Sequence, residues 1–126
     1  MSFPQAVPEL PVRDLDDAIA YWRDILGFTF DFRDDDSGIA GMSRGACRVF
    51  FTDAAFRGGN APASPIVAWL NFDDVAGVDA QYAEWLARGA RIEGAPELKP
   101  WGLHEFTALD LDGNVLRVFH IPAPPN

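Results

Sequence analysis

The feature that most constrains the fold is a sequence pattern that occurs twice. Residues 45–51 (GACRVFF) resemble residues 113–120 (GNVLRVFH), and each segment contains an Arg-Val-Phe core. The second copy closes a predicted hairpin whose strands, residues 105–111 and 114–121, flank Asp112-Gly113. Asp-Gly between alternating apolar runs is a strong hairpin signal, because both central positions of the turn favour φ > 0. A strand that recurs half a chain earlier predicts a fold built from two similar units.

The two halves of the chain predict the same order of elements, β-α-β-β-β. In each half a strand runs directly into a helix, which Asp14 caps in the first half and Asp73-Asp74 caps in the second. Gly27 and Gly89 supply the left-handed residue that ends each helix. The predicted strands are residues 6–13, 28–33, 39–43 and 46–52, then 65–72, 90–94, 105–111 and 114–121.

This order predicts an α+β fold. We expect one domain, residues 1–126, in which two tandem units occupy about residues 5–53 and 65–121. The segment between them, residues 54–64, is rich in Gly, Ala and Pro and is predicted to be a linker. A second irregular segment, residues 95–102, is predicted to form a loop before the closing hairpin.

Composition and charge narrow the class of partner. The chain has 19 acidic and 10 basic side chains and a net charge of −9, which disfavours binding to nucleic acid and to anionic membranes. The acidic surface either attracts a cationic ligand or serves only to keep the protein in solution. The first ten residues lack the features of a secretory signal, and the single cysteine, Cys47, cannot form an internal disulfide. We therefore expect a cytoplasmic protein.

The chain resembles the vicinal oxygen chelate superfamily, the glyoxalase and bleomycin resistance fold. VPELPVRDLDDAIAYWRDILGF is similar to the first strand and helix of that family, and FRDDDSGIAGMSRGACRVFF to strands of its bleomycin-binding members. APELKPWG and EFTALDLDGNVLRV are similar to their final loop and hairpin. The resemblance covers about residues 6–120. It implies that each unit forms half a barrel and that units pair across a homodimer, with the first strand exchanged in some members, around a concave cavity.

The resemblance also indicates where metal-using members hold their ion. The matching positions in this chain are Val7, Val67, Arg48 and Arg117. Divalent metal sites need carboxylate, imidazole or thiolate donors, and guanidinium groups repel a cation. We therefore expect no metal and no other cofactor.

No side chain stands out as catalytic. The sequence has no glycine-rich phosphate loop and no nucleophile elbow. Glu9 and Glu105 lie at predicted strand ends, and each is interpreted as a solvated acid in preference to a cavity residue. Cys47 lies among apolar residues and is interpreted as a buried hydrophobic side chain.

The aromatic residues indicate a binding surface. Trp22 and Trp85 lie on the apolar faces of the two predicted helices and are expected in the core, whereas Trp69 and Trp101 are not on a helix face. The resemblance implies that aromatic residues at matching places stack on a planar heteroaromatic ligand. The acidic run that begins at Asp34 either meets positive groups of that ligand or is a solvated turn. The candidate ligand-binding residues are Trp69, Trp101, Asp34, Phe32, Phe50 and Gly102.

Three classes of function follow from this resemblance. The favoured hypothesis is a non-catalytic protein that sequesters a bulky cationic antibiotic of the bleomycin type. The main alternative is a lyase-like or dioxygenase-like enzyme of the same superfamily that acts on a small metabolite. A carrier or regulatory module for another amphipathic molecule is the third.

Overall fold

The computed structural model describes residues 3–59 and 64–121, which form two compact units with their boundary between Ile66 and Val67. The first unit contains β1 (Glu9–Pro11), α1 (Leu15–Asp24), β2 (Thr29–Asp34), β3 (Ile39–Arg44) and β4 (Cys47–Thr52). The second contains β5 (Val67–Asn71), α2 (Val75–Ala87), β6 (Arg91–Leu98), β7 (His104–Leu109) and β8 (Val115–His120).

Each unit is one open, mixed sheet of four strands with one helix. The strand orders are β1-β4-β3-β2 and β5-β8-β7-β6, so that the first strand of each unit pairs in parallel with the last and the other pairs are antiparallel. The two Arg-Val-Phe copies lie in β4 and β8, the strands that adjoin β1 and β5. The predicted α+β fold of two β-α-β-β-β units is therefore confirmed.

The helices begin at the predicted caps. The Asp14 carboxylate accepts a hydrogen bond from the backbone N–H of Asp17 at 2.9 Å, and the Asp74 carboxylate accepts one from Gly77 at 2.6 Å. Each bond satisfies a backbone donor that the first helical turn leaves without an intrahelical partner. Within the described residues, no helix has both the length and the apolar character needed to cross a membrane.

The first strand is at the edge of its sheet, as its prolines require. The carbonyl of Pro8 accepts from the Phe50 N–H, and the Val12 N–H donates to the Thr52 carbonyl, each at 3.0 Å. Proline has no N–H to donate to a sheet, so Pro8 and Pro11 fit an edge strand. Of the predicted linker, residues 60–63 lie outside the described residues, and residues 54–59 form turns.

Two predictions about the second unit were wrong. Strand β6 continues to Leu98 through part of the predicted loop, because a break in register between Glu93 and Glu97 lets the strand pair again with β7. The hairpin turn is also not a two-residue turn with φ > 0 at both positions, because only Gly113 has positive φ. Instead the Asp110 carboxylate accepts from the backbone N–H groups of Asp112 and Asn114 and closes a longer turn.

The helix tryptophans form the cores, as predicted. Trp22 is 1% exposed and packs on Phe28 and Phe51, with ring centroids 4.8 and 5.3 Å away. In the second unit Trp85 is 2% exposed and packs on Phe106 at 6.1 Å. Each tryptophan joins its helix to one face of its own sheet.

We expect Trp22→Ala and Trp85→Ala each to lower the free energy of unfolding by about 3–5 kcal/mol, because each leaves a large cavity in a core. Urea denaturation measures the change. Leu86→Ala, at an exposed position of α2, is the control and should cost about 0.5 kcal/mol or less. If the tryptophan variants were as stable as this control, the core assignment would be wrong.

Candidate functional site

Each sheet has a second face that its helix does not cover. In the first unit the buried residues Ala40, Met42, Val49 and Phe51 alternate with residues of the opposite face, and Phe51 contacts Trp22 of α1. The same alternation holds in the second unit, where Phe106 contacts Trp85 of α2. The candidate aromatic residues of the strands, Phe32, Phe50 and Trp69, lie on these helix-free faces.

In the first unit the helix-free face carries a row across three strands, made of two aromatic side chains with a glycine between them. Phe32, Gly41 and Phe50 are neighbours in the register of β2, β3 and β4. A Cβ atom at Gly41 would lie 2.3 Å from Cε1 of Phe32, so the Phe32 ring rests directly on the glycine backbone. The rings of Phe32 and Phe50 meet edge to face at 5.4 Å. The two candidate phenylalanines are therefore brought together, and Phe32 remains partly exposed.

Polar side chains flank this row. The Ser43 hydroxyl donates to the Asp31 carboxylate at 3.0 Å, and Arg48 lies 3.6 Å from the same carboxylate. On the other side the Thr52 hydroxyl donates to Glu9 at 3.1 Å. Glu9 is exposed, as the sequence predicted for a solvated acid.

Asp34 forms a turn. It lies at the end of β2, where its carboxylate accepts from the Ser37 N–H at 3.3 Å and from the Ser37 hydroxyl at 3.0 Å. Its backbone carbonyl accepts from Gly38 at 2.8 Å. These contacts account for an aspartate at this position, and a contact with ligand stays a prediction.

In the second unit Trp69 lies on β5 and is 49% exposed. The guanidinium carbon of Arg117 is 5.3 Å from the centroid of the Trp69 ring, within the range of a cation–π interaction. Phe119 meets the same ring edge to face at 5.5 Å. Arg117 also donates to the Thr107 hydroxyl at 3.0 Å, which fixes the guanidinium. Trp69 is thus a rigid, half-exposed ring with a cation of the protein against it.

Trp101 lies in the turn between β6 and β7 and is 58% exposed. Lys99 N–H donates to the Leu103 carbonyl and Gly102 N–H donates to the Lys99 carbonyl, each at 2.9 Å. Gly102 has φ +90°, a conformation that other residues rarely adopt. The indole N–H of Trp101 donates to the Glu105 carboxylate at 2.6 Å. Gly102 therefore shapes the turn, and Glu105 holds the ring.

Glu105 contradicts the interpretation as a solvated acid. The residue is 0% exposed. One carboxylate oxygen accepts from Trp101, and the other, Oε2, is buried and has no hydrogen-bond partner among the residues that the structure describes. Alternation along β7 places Glu105 on the helix-free face beside its cross-strand neighbour Phe119, and the turn brings the Trp101 indole onto it. A strand-end position in the sequence does not reveal this cover.

These contacts join the two tryptophans into one surface. Trp69 packs on Phe119, Phe119 is the cross-strand neighbour of Glu105, and Glu105 binds Trp101. We call this set, with Arg117, the aromatic face of the second unit. The sequence analysis identified both tryptophans as ligand-binding candidates. It did not identify Arg117 and Glu105 as the charged residues that contact their rings. The parallel pairing of β5 with β8 sets Arg117 opposite Trp69, and local sequence patterns do not reveal this pairing of distant strands.

The positions that match a metal site do not fit an ion. Val7 and Val67 have no donor atom, and the Arg117 guanidinium is held by Thr107 and Trp69. In residues 3–59 and 64–121 no three His, Cys, Asp or Glu side chains come together as a metal site. The two histidines have other partners, since His104 contacts Asp79 at 2.8 Å and His120 contacts the Phe72 carbonyl at 3.0 Å.

The surroundings of Cys47 and of Glu97 shift the pKa of each side chain. Cys47 is only partly buried, whereas the sequence predicted a buried side chain. This partial burial raises the pKa of its thiol, so the reactive thiolate is disfavoured at neutral pH. Near the Trp101 turn, the Lys99 ammonium lies 2.6 Å from the Glu97 carboxylate, and its hydrogen bond lowers the pKa of Glu97. The ion pair between Glu97 and Lys99 is therefore intact above the pKa of an ordinary glutamate. It is lost as the pH falls through the lowered pKa of Glu97, where the carboxylate becomes protonated.

Comparison with known proteins agrees with this architecture. Residues 4–118 match the family described as the Glyoxalase/Bleomycin resistance protein/Dioxygenase superfamily. A bleomycin resistance protein of Klebsiella pneumoniae is 35% identical over 124 residues, which covers 90% of this chain and 90% of that protein.

Two solved structures show the same fold. A bleomycin-binding protein in complex with bleomycin is 33% identical, with a TM-score of 0.74 over 94% of this chain and 98% of that chain. A lactoylglutathione lyase from Agrobacterium tumefaciens is 20% identical, with a TM-score of 0.72 over 92% of each chain. At that identity the second likeness concerns the fold alone.

We expect Gly41→Ala to displace the Phe32 ring, because the new methyl group would overlap it. The free energy of unfolding should fall by about 1–3 kcal/mol, as for an overpacked site. Urea denaturation of Gly41→Ala in the wild-type and Phe32→Ala backgrounds tests the cause. In the Phe32→Ala background the glycine substitution should cost little, and an equal cost in both backgrounds would refute the contact.

Proposed function

Because the chain belongs to the Glyoxalase/Bleomycin resistance protein/Dioxygenase superfamily, we propose that it binds an antibiotic of the bleomycin type and sequesters it without chemical change. The observation that carries this proposal is the aromatic face, where Trp69 and Trp101 are both about half exposed and both held by neighbouring side chains. The likeness to a bleomycin resistance protein and to a bleomycin-binding protein supports it.

Fixed, exposed tryptophans suit a planar heteroaromatic ligand. An indole offers a broad apolar surface, and stacking on it contributes about 1–3 kcal/mol per ring. Because Arg117 and Glu105 already restrict the two rings, little side-chain freedom is lost on binding. The net charge of −9 favours association with a cationic molecule.

The other candidate residues have subsidiary roles in this proposal. Phe32 and Phe50 form a second aromatic surface on the first unit. Gly102 shapes the turn that presents Trp101, and Asp34 meets positive groups of the antibiotic. We propose that the protein acts as a cytoplasmic homodimer and that no cofactor takes part.

The alternative is an enzyme of the same superfamily, whose family description includes dioxygenases. The two functions differ in what happens to the ligand. Sequestration returns bleomycin chemically unchanged after the complex is denatured, whereas an enzyme releases a product. Mass spectrometry of bleomycin after prolonged incubation distinguishes them, and a protein-dependent product would contradict the proposal.

We expect metal-free bleomycin to bind with a calorimetric stoichiometry that does not depend on incubation time. Trp69→Ala and Trp101→Ala should each weaken binding by about 1–3 kcal/mol, the contribution of one aromatic stack. Both variants should still fold, since neither side chain is part of a helix-packed core. Leu86→Ala removes an exposed apolar side chain from α2 and is the matched control, with unchanged affinity. Wild-type affinity in both tryptophan variants would refute the site.

We also expect a homodimer. Light scattering at micromolar concentration should give a particle of twice the 13.8 kDa chain mass, because the family resemblance implies that units pair across a twofold interface. A single particle of the chain mass would contradict this part of the proposal. If that monomer bound bleomycin, the proposed sequestration would be unaffected and only the proposed homodimer would be wrong.

A further inference from the structure

The two exposed tryptophans of the aromatic face have opposite charges against them. The carboxylate of Glu105 accepts from the Trp101 indole N–H at 2.6 Å, and the guanidinium of Arg117 lies 5.3 Å from the centre of the Trp69 ring. We propose that this difference makes the face polarised, so that Trp101 takes a cationic planar group and Trp69 takes a planar group that is neutral or carries an anionic acceptor. This inference rests on the proposed function, because it names the ligand chemistry of the same surface.

The charge beside Trp101 acts on the ring through the hydrogen bond. An anionic acceptor on the indole N–H draws the proton towards itself and leaves more electron density in the π system. The negative potential above a ring face is what attracts a cation, so a ring bound to a carboxylate attracts cations more strongly. Glu105 is 0% exposed, and water therefore screens its charge poorly.

The second oxygen of Glu105 strengthens this argument. Oε2 is buried and has no hydrogen-bond partner in the described part of the chain. A buried carboxylate with an unused acceptor is costly unless a positive charge comes near. A cationic ring stacked on Trp101 supplies that charge without direct contact with the carboxylate.

Trp69 presents the reverse case. The Arg117 guanidinium already lies against the face of the ring to which a cation would bind. Its positive charge also repels a second cation nearby. Its planar N–H groups are suited to carboxylate, sulfonate and carbonyl oxygens. The hydrogen bond from Arg117 to Thr107 at 3.0 Å keeps the guanidinium in this position. The ligand that suits the whole face is thus asymmetric, with a cationic aromatic end and an end that accepts hydrogen bonds.

Two small probes of similar size test this polarity: 1-methylquinolinium, a planar cation, and quinoline-2-carboxylate, a planar anion. The chain has four tryptophans, so nitrogen-15 labelling gives one indole N–H resonance for each, which single Trp→Phe variants assign. The cation should shift the Trp101 indole resonance in preference to that of Trp69. The anion should shift the Trp69 resonance in preference to that of Trp101.

Substitution of the charged neighbours should remove each preference. Glu105→Gln should weaken binding of the cation at Trp101 by about threefold or more, and Arg117→Met should weaken binding of the anion at Trp69 by a similar factor. Trp101→Phe keeps a ring but removes the N–H bond to Glu105, and it serves as a second variant if Glu105→Gln does not fold. Asp24→Asn and Arg23→Met make the same charge changes in an exposed ion pair of α1 and should alter neither affinity.

The outcomes separate this inference from the proposed function. If each probe binds at its expected tryptophan but calorimetry detects no binding of bleomycin, the result would support the polarised face and refute bleomycin as the ligand. If bleomycin binds but the two probes show no preference between Trp101 and Trp69, the inference would be overturned and the proposed sequestration would be unaffected. Absence of probe binding at both tryptophans, or the same preference at both, would also overturn the inference.

Discussion

Each sheet carries one helix, and that helix covers one of its two faces. In a four-stranded sheet the residues alternate between faces, so burial of Trp22 and Trp85 against one face leaves the other face of each sheet without a helix. The helix-free face of each unit holds large aromatic side chains beside polar ones. Exposed aromatic groups of this size are typical of binding surfaces. The rest of the site follows from how these side chains are held.

The aromatic groups are held by specific partners and not by a core. Phe32 rests on the backbone of Gly41, Trp69 lies against Arg117, and Trp101 is bound to Glu105. Each contact fixes a ring while leaving much of its surface accessible. A ligand therefore meets rings that are already oriented, which reduces the entropy lost on binding. This arrangement suits a protein that acts by binding, and it needs no reactive group at the site.

The sequence predicted the order of elements well, because helix caps, glycine stops and alternation are local signals. It also identified Trp69 and Trp101 as outside the helix faces. It failed where distant strands determine the environment. The continuation of β6 depends on a break in register against β7, and the burial of Glu105 depends on a turn that places Trp101 over a strand end. No local pattern reports either contact, and the same holds for Arg117 beside Trp69.

The central claim, that the aromatic face is the surface on which this protein holds a bleomycin-type ligand, is tested most directly by a crystal structure of the protein with metal-free bleomycin. We expect an intact drug molecule with a planar heteroaromatic ring stacked on Trp101 or Trp69, with ring centroids about 4.5–7 Å apart. An intact drug bound away from both tryptophans, or a chemically altered product at the site, would contradict the account.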